Sequence, residues 1–158
     1  MITIGIDPGL TGAIAFVDSY GTCSVEDIPT VDLPGKGLIR RRINGPSLAE
    51  IVRRFVPPGE RAYVVLEDVH AMGGSAVQTM GSMMRSVGAI ETVIEMLRMP
   101  IHPVQPRVWK AHYGLKSDKA ASLTTARALY PSAPLNLAKH HNRAEAVLLA
   151  HYGRTVLA

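Results

Sequence analysis

The chain is predicted to fold as an α/β protein, a mixed five-stranded sheet flanked by helices. Three observations carry that expectation. Three short β-rich runs stand at the N-terminus, separated by glycine-containing turns. Further along, segments of helical period alternate with two more apolar runs of strand length. Hydrophobic residues make up 47% of the 158 positions and aromatics only 5%, which excludes a disordered chain and predicts an aliphatic core. Strands that are neighbours in sequence first, and separated by helices later, imply a sheet of mixed sense.

The elements follow in order. Met1–Asp7 alternates and is rich in β-branched residues, and Asp7-Pro8-Gly9-Leu10-Thr11-Gly12 turns the chain. Gly12–Val17 and Thr22–Ile28 are the second and third strands, joined through Ser19-Tyr20-Gly21. Pro29–Gly45 carries helix and strand breakers and the basic residues Lys36, Arg40, Arg41 and Arg42, so it reads as an exposed irregular loop. In Ser47–Phe55, the stripe Leu48, Ile51, Val52 and Phe55 predicts a helix that Pro57-Pro58-Gly59 ends. Arg61–Leu66 is a buried strand that delivers Glu67 at its end. Ala71–Gly81 is small and Gly/Ser-rich and reads as a flexible stretch. Ser82–Met99 is a long helix with Val87, Ile90, Val93, Ile94 and Leu97 on one face. Pro100–Val104 is a short strand. Gln105–Tyr113, Asp118–Tyr130 and Asn142–Tyr152 are helices, the second with Leu123, Ala126 and Leu129 inward. The order βββαβαβ, closed by helices, is that of an RNase H-like fold, with residues 1–158 as a single domain.

Charge and cysteine content narrow the function. From Pro103 onward, eight Lys and Arg face two acids, so that region is at +6 and the rest of the chain at −2, which gives the net +4. This is either a solvated basic face or the footprint of a polyanion. The single Cys23 forms no internal disulfide, and no Cys/His set has zinc spacing. No apolar run reaches the roughly 18–20 residues that span a bilayer, and the N-terminus has no signal-peptide pattern. A soluble, cytoplasmic protein with no membrane partner is expected.

Three carboxylates stand out. Asp7 lies at the centre of an apolar first strand and is followed at once by Pro8-Gly9, where an acid is costly without a compensating cation or donor network; the alternative is a residue that caps its own turn. Glu67 ends another apolar strand. Strand alternation sends Asp68 to the opposite face, and a one-residue slip in register would exchange the two. Glu145 lies among apolar residues of the last helix, either as a ligand or as a first-turn acid favoured by the helix dipole. His141, four residues earlier, shares its face if the helix reaches that far, with Asn142 as the alternative N-cap. Asp7, Glu67 and Glu145, with His141, would form an oxygen-rich site suited to Mg²⁺ or Mn²⁺. An imidazole among the ligands suits softer ions and so favours Mn²⁺ over Mg²⁺.

Gly5-Ile6-Asp7-Pro8-Gly9, Leu66-Glu67 and Arg143-Ala144-Glu145-Ala146 stand in the order found in RuvC-type Holliday junction resolvases, and the chain resembles that family over nearly its whole length. Met72–Gly88, Pro106-Arg107-Val108-Trp109-Lys110 and Lys116-Ser117-Asp118-Lys119 resemble its phage and prophage members. The resemblance implies a homodimeric, Mg²⁺-dependent endonuclease of RNase H-like fold that nicks two strands of a four-way DNA junction symmetrically. It implies that Asp7, Glu67 and Glu145 are metal ligands and that His141 stands where the family usually has an aspartate. Lys110 and Lys119 fall where the family has lysines near the scissile phosphate; the alternative is plain surface lysine. Arg85, Arg107, Lys110, Lys116, Lys119 and Arg143 are expected DNA contacts, as are Arg40, Arg41 and Arg42. Met72, Met80, Met83 and Met84 would wedge at the exchange point, pack across a dimer, or fill the core. Other readings are a branched-DNA binding module that does not cut, a nuclease for flaps or forks, and an ATP-dependent kinase or chaperone lobe. The last needs two lobes around a nucleotide, and this chain is long enough for one.

Overall fold

The computed structural model describes residues 1–35, 40–69, 77–116 and 119–157, without the side chains of Gln78 and Lys119. The N-terminal meander forms β1 (Ile2–Asp7), β2 (Ala13–Val17) and β3 (Cys23–Asp27), paired antiparallel. On the other side of β1 lie β6 (Ala62–Glu67) and β7 (Ile101–Val104), both parallel, giving the five-stranded order β3-β2-β1-β6-β7. Parallel neighbours need crossover connections, and these contain α1 (Gly45–Phe55) and α2 (Val77–Met96).

Side-chain parity divides the sheet into two faces. Even-numbered Ile4, Ile6, Ile14, Phe16, Val64 and Leu66 pack with Leu48 and Val52 of α1 and Ile90 and Ile94 of α2. Odd-numbered Ala13, Ala15, Val17, Tyr63 and Val65 face the C-terminal helices. These are α3 (Pro106–His112), α4 (Lys119–Leu129) and α5 (His141–Tyr152). The central one is α5, buried continuously from Ala144 to Ala150, as expected of a helix that is apolar all round. It lies unusually close to the sheet because β1 presents Gly5 there. A Cβ at Gly5 would run into the backbone O of Ala146 and N of Ala150. A short π-helical turn, Gly153–Leu157, follows.

Three predicted elements differ. The expected loop from Pro29 to Gly45 contains a second, two-stranded sheet, β4 (Thr30–Leu33) against β5 (Arg40–Ile43). Its register pairs Val31 with Arg42 and Asp32 with Arg41. Ile43 is buried and Asn44 N donates to Pro29 O at 2.9 Å, so the base of the ribbon is anchored. The stretch Ala71–Gly81 was expected to be flexible, yet its last five residues open α2, because the helix tolerates Gly81 without the apolar period that marks its later turns. Residues 71–76, with Met72, lie outside the described residues. Finally, α5 starts at His141. Asn142 therefore sits inside the first turn, and its Nδ2 donates to Thr11 O at 2.6 Å instead of capping.

Candidate metal centre

Parity also places the acids. Asp7 and Glu67 each lie one step past the register pair Ile6↔Leu66, on adjacent strands. Both are odd-numbered, so both face α5. There Glu145 comes down on the same spot, one residue before the Ala146 whose carbonyl rests on Gly5. A carboxylate oxygen from each of the three lies within 4.8 Å of the others, and each residue is only 8% exposed. Asp68, which a slipped register would present, is not in the group. Neither is His141. It opens α5 a full turn before Glu145, about 6 Å along the axis, and lines a concavity with Lys139 and Asn142.

Neighbouring donors hold the acids. The indole Nε1 of Trp109, a fully buried side chain, donates to Glu67 Oε1 at 3.0 Å. The next residue, Lys110, places its Nζ 3.1 Å from Glu145 Oε1 and 5.0 Å from the centroid of the Trp109 ring. Ser122 Oγ reaches Glu145 Oε1 at 3.5 Å. Burial raises the Glu67 carboxyl above its ordinary value; the Trp109 hydrogen bond opposes this, the Glu145 charge adds to it, and Lys110 opposes it. Two charged carboxylates at this separation repel by roughly 3–4 kcal/mol at an effective dielectric of about 20. Lys110 supplies one positive charge to the group. The donor set fits a hard divalent cation, since it is made of oxygens alone. With His141 outside it, the ground for expecting a preference for Mn²⁺ is absent.

Trp109 and Ser122 are the residues that sequence reasoning missed. A signal for Trp109 existed: it is the one tryptophan, it precedes Lys110, and a buried indole N–H needs an acceptor.

The basic residues divide into groups. Arg107 and Lys116 are exposed, and Arg107 Nε donates to Gln105 Oε1 at 2.8 Å. The side chain of Lys119 lies outside the described residues, although its backbone opens α4. Arg143 is engaged within the fold. Its Nε and Nη2 donate to the two carboxylate oxygens of Asp27 at 2.6 and 2.7 Å, pinning the start of α5 to the end of β3. Arg40, Arg41, Arg42 and Arg85 are exposed around a cleft beside the β4–β5 ribbon. Met83 packs over Gly9 of the first turn, Met80 is half-buried and Met84 is exposed.

No family model and no curated protein matches the chain. Solved structures do. The chain is similar to Thermus thermophilus RuvC in complex with Holliday junction substrate, with a TM-score of 0.61 at 16% identity, covering 99% of this chain and 97% of that one. It is likewise similar to another Thermus thermophilus RuvC structure, with a TM-score of 0.53 at 19% identity, covering 98% of this chain and 96% of the other. The fold is thus shared with these RuvC structures over nearly the whole chain.

Proposed function

We propose that the chain is a single-domain, metal-dependent endonuclease that cuts branched DNA, with four-way junctions as its substrate and paired symmetric nicks as its product. The observation that carries this reading is the convergence of Asp7, Glu67 and Glu145, buried and beside Lys110, at the ends of two central strands. Likeness of fold to a protein solved with a Holliday junction supports the choice of substrate.

Asp7, Glu67 and Glu145 would hold Mg²⁺ or Mn²⁺. When bound, such ions neutralise the acids, polarise a phosphodiester and favour attack by water. The rest is done by the chain. Trp109 keeps one Glu67 oxygen engaged and so orients the other. Lys110 is a fixed cation at the rim of the acidic group, placed to stabilise charge that develops on a phosphate. Arg107 and Lys116, both exposed, would add backbone contacts that give affinity without sequence information. A two-fold homodimer would present two such centres to the two-fold symmetry of an open junction. A cytoplasmic setting suits the free Cys23.

The test is incubation of a labelled four-way junction with Mg²⁺ or Mn²⁺, wild type beside Asp7→Asn. The wild type is expected to nick opposing strands. The variant is expected to bind the junction but cut at least about a hundredfold more slowly, a barrier increase of roughly 2.7 kcal/mol or more. Binding by the wild type without any nicked product, at any metal concentration, would make the chain a binding module. Faster cutting of flaps or linear duplex would move the substrate away from junctions.

A further inference from the structure

The β4–β5 ribbon has no part in the acidic centre, yet it carries three consecutive arginines. With Arg85 of α2, Arg40, Arg41 and Arg42 line an open cleft of about 420 Å³ between ribbon and helix. The remaining described wall is uncharged, Leu10 and Ser82 included, so among the described residues no carboxylate lines it. Asp32 lies across from Arg41 in the ribbon, but Arg41 Nη1 donates to Thr30 Oγ1 at 3.4 Å. Among the described residues, none of the four arginines is in an ion pair. Arg143 shows the contrast, since its fork is filled by Asp27. Like charges held this close, with no counter-charge among the described residues, repel one another, and an external anion relieves that repulsion.

The cleft also continues. Strand alternation puts Arg40 and Arg42 on one face of the ribbon and Arg41 on the other. Arg41 lines a second concavity, of about 650 Å³, with Lys139, His140 and His141; the one acid in its described lining, Asp27, is already held by Arg143. Leu10, in the turn that follows Asp7, borders both. A positive strip therefore runs from α2, over an anchored ribbon, to the first turn of α5. An extended polyanion fits an open strip of planar guanidinium forks better than a small enclosed ligand does.

We propose that this strip is a phosphate-backbone site for a DNA arm lying outside the cleavage centre. Its assignment to DNA rests on the proposed function.

The experiment uses the full chain and a fluorescent four-way junction without divalent cation. Anisotropy titrations over a salt series give the slope of log K against log salt. For Arg40→Gln/Arg42→Gln/Arg85→Gln the slope is expected to fall by about 2–3, at roughly 0.9 per lost phosphate contact. Arg85→Gln alone, on the opposite wall, is expected to lower it by about 1. The charge-preserving Arg40→Lys/Arg42→Lys/Arg85→Lys is expected to keep it. A folded triple Gln variant with unchanged slope and affinity would overturn the site, as would an unchanged slope in the single variant. Cutting by the wild type is scored separately. Failure to cut refutes the nuclease reading and leaves the slopes to decide the strip.

Discussion

Replacing Gly5 by alanine adds one methyl group at the point where α5 touches the sheet. That Cβ would lie 3.0 Å from Ala150 Cα and closer still to Ala146 O and Ala150 N, all of them backbone atoms. No rotamer change relieves such a contact, so α5 must lift or β1 must sink. Overpacking of this kind costs about 1–3 kcal/mol. For a chain of this size that lowers Tm by roughly 2–4 °C per kcal/mol. The displacement falls on Glu145, which adjoins Ala146, and a shift of about 1 Å in a catalytic group can cost on the order of a hundredfold in rate. Gly81→Ala is the control. Nothing lies within 4 Å of a Cβ there, on an exposed turn of α2, and the substitution should stabilise by about 0.4–1 kcal/mol. Thermal melts of both variants, with calorimetric Mn²⁺ titration of each, make the comparison. Equal melting temperatures and equal metal affinity for Gly5→Ala and wild type would refute the close-contact argument.

Two further outcomes are expected. Trp109→Phe keeps the ring but removes the N–H to Glu67, and loss of such a supporting contact typically costs about 10–100-fold in metal affinity; calorimetry showing undiminished Mn²⁺ binding would contradict the positioning role. His151, whose Nδ1 lies 2.8 Å from Tyr130 Oη, has its pKa lowered by burial, and then by the charges of Arg154 and His112. A folded value below the unfolded one (about 6.5) means that the unfolded chain takes up more protons, so this contribution is present above about pH 6.5 and lost as the pH falls through the depressed folded value. Melts between pH 7.5 and 5.5 should therefore fall more steeply for wild type than for His151→Gln, and parallel curves would argue against it.

The first three strands and the acids at the ends of β1 and β6 were legible because both obey a local rule, period two and a charge at the end of an apolar run. That the acids meet follows from the same parity, since Asp7 and Glu67 are both odd-numbered on neighbouring strands. The β4–β5 ribbon was not legible. Arg40-Arg41-Arg42 has no apolar alternation, and only Ile43 marks its buried end. The expectation for His141 rested on i, i+4 spacing, which gives a shared helix face but not the position along the axis at which that face meets the sheet end. The grip of Trp109 on Glu67 spans 42 positions, and no window of sequence contains it.

The two faces of the sheet differ in how they hold their helices, and this has a consequence for variation. Beneath α1 and α2 the contacts are branched aliphatic side chains, which can exchange volume with one another. Under α5, at the point nearest the acids, the contact is main chain of Ala146 and Ala150 on Gly5, flanked by Ala13 and Ala15, which leave no volume to trade. Natural drift and laboratory evolution should accordingly find permitted replacements beneath α1 and α2, while Gly5, on the face that carries the acids, stays fixed for steric reasons alone.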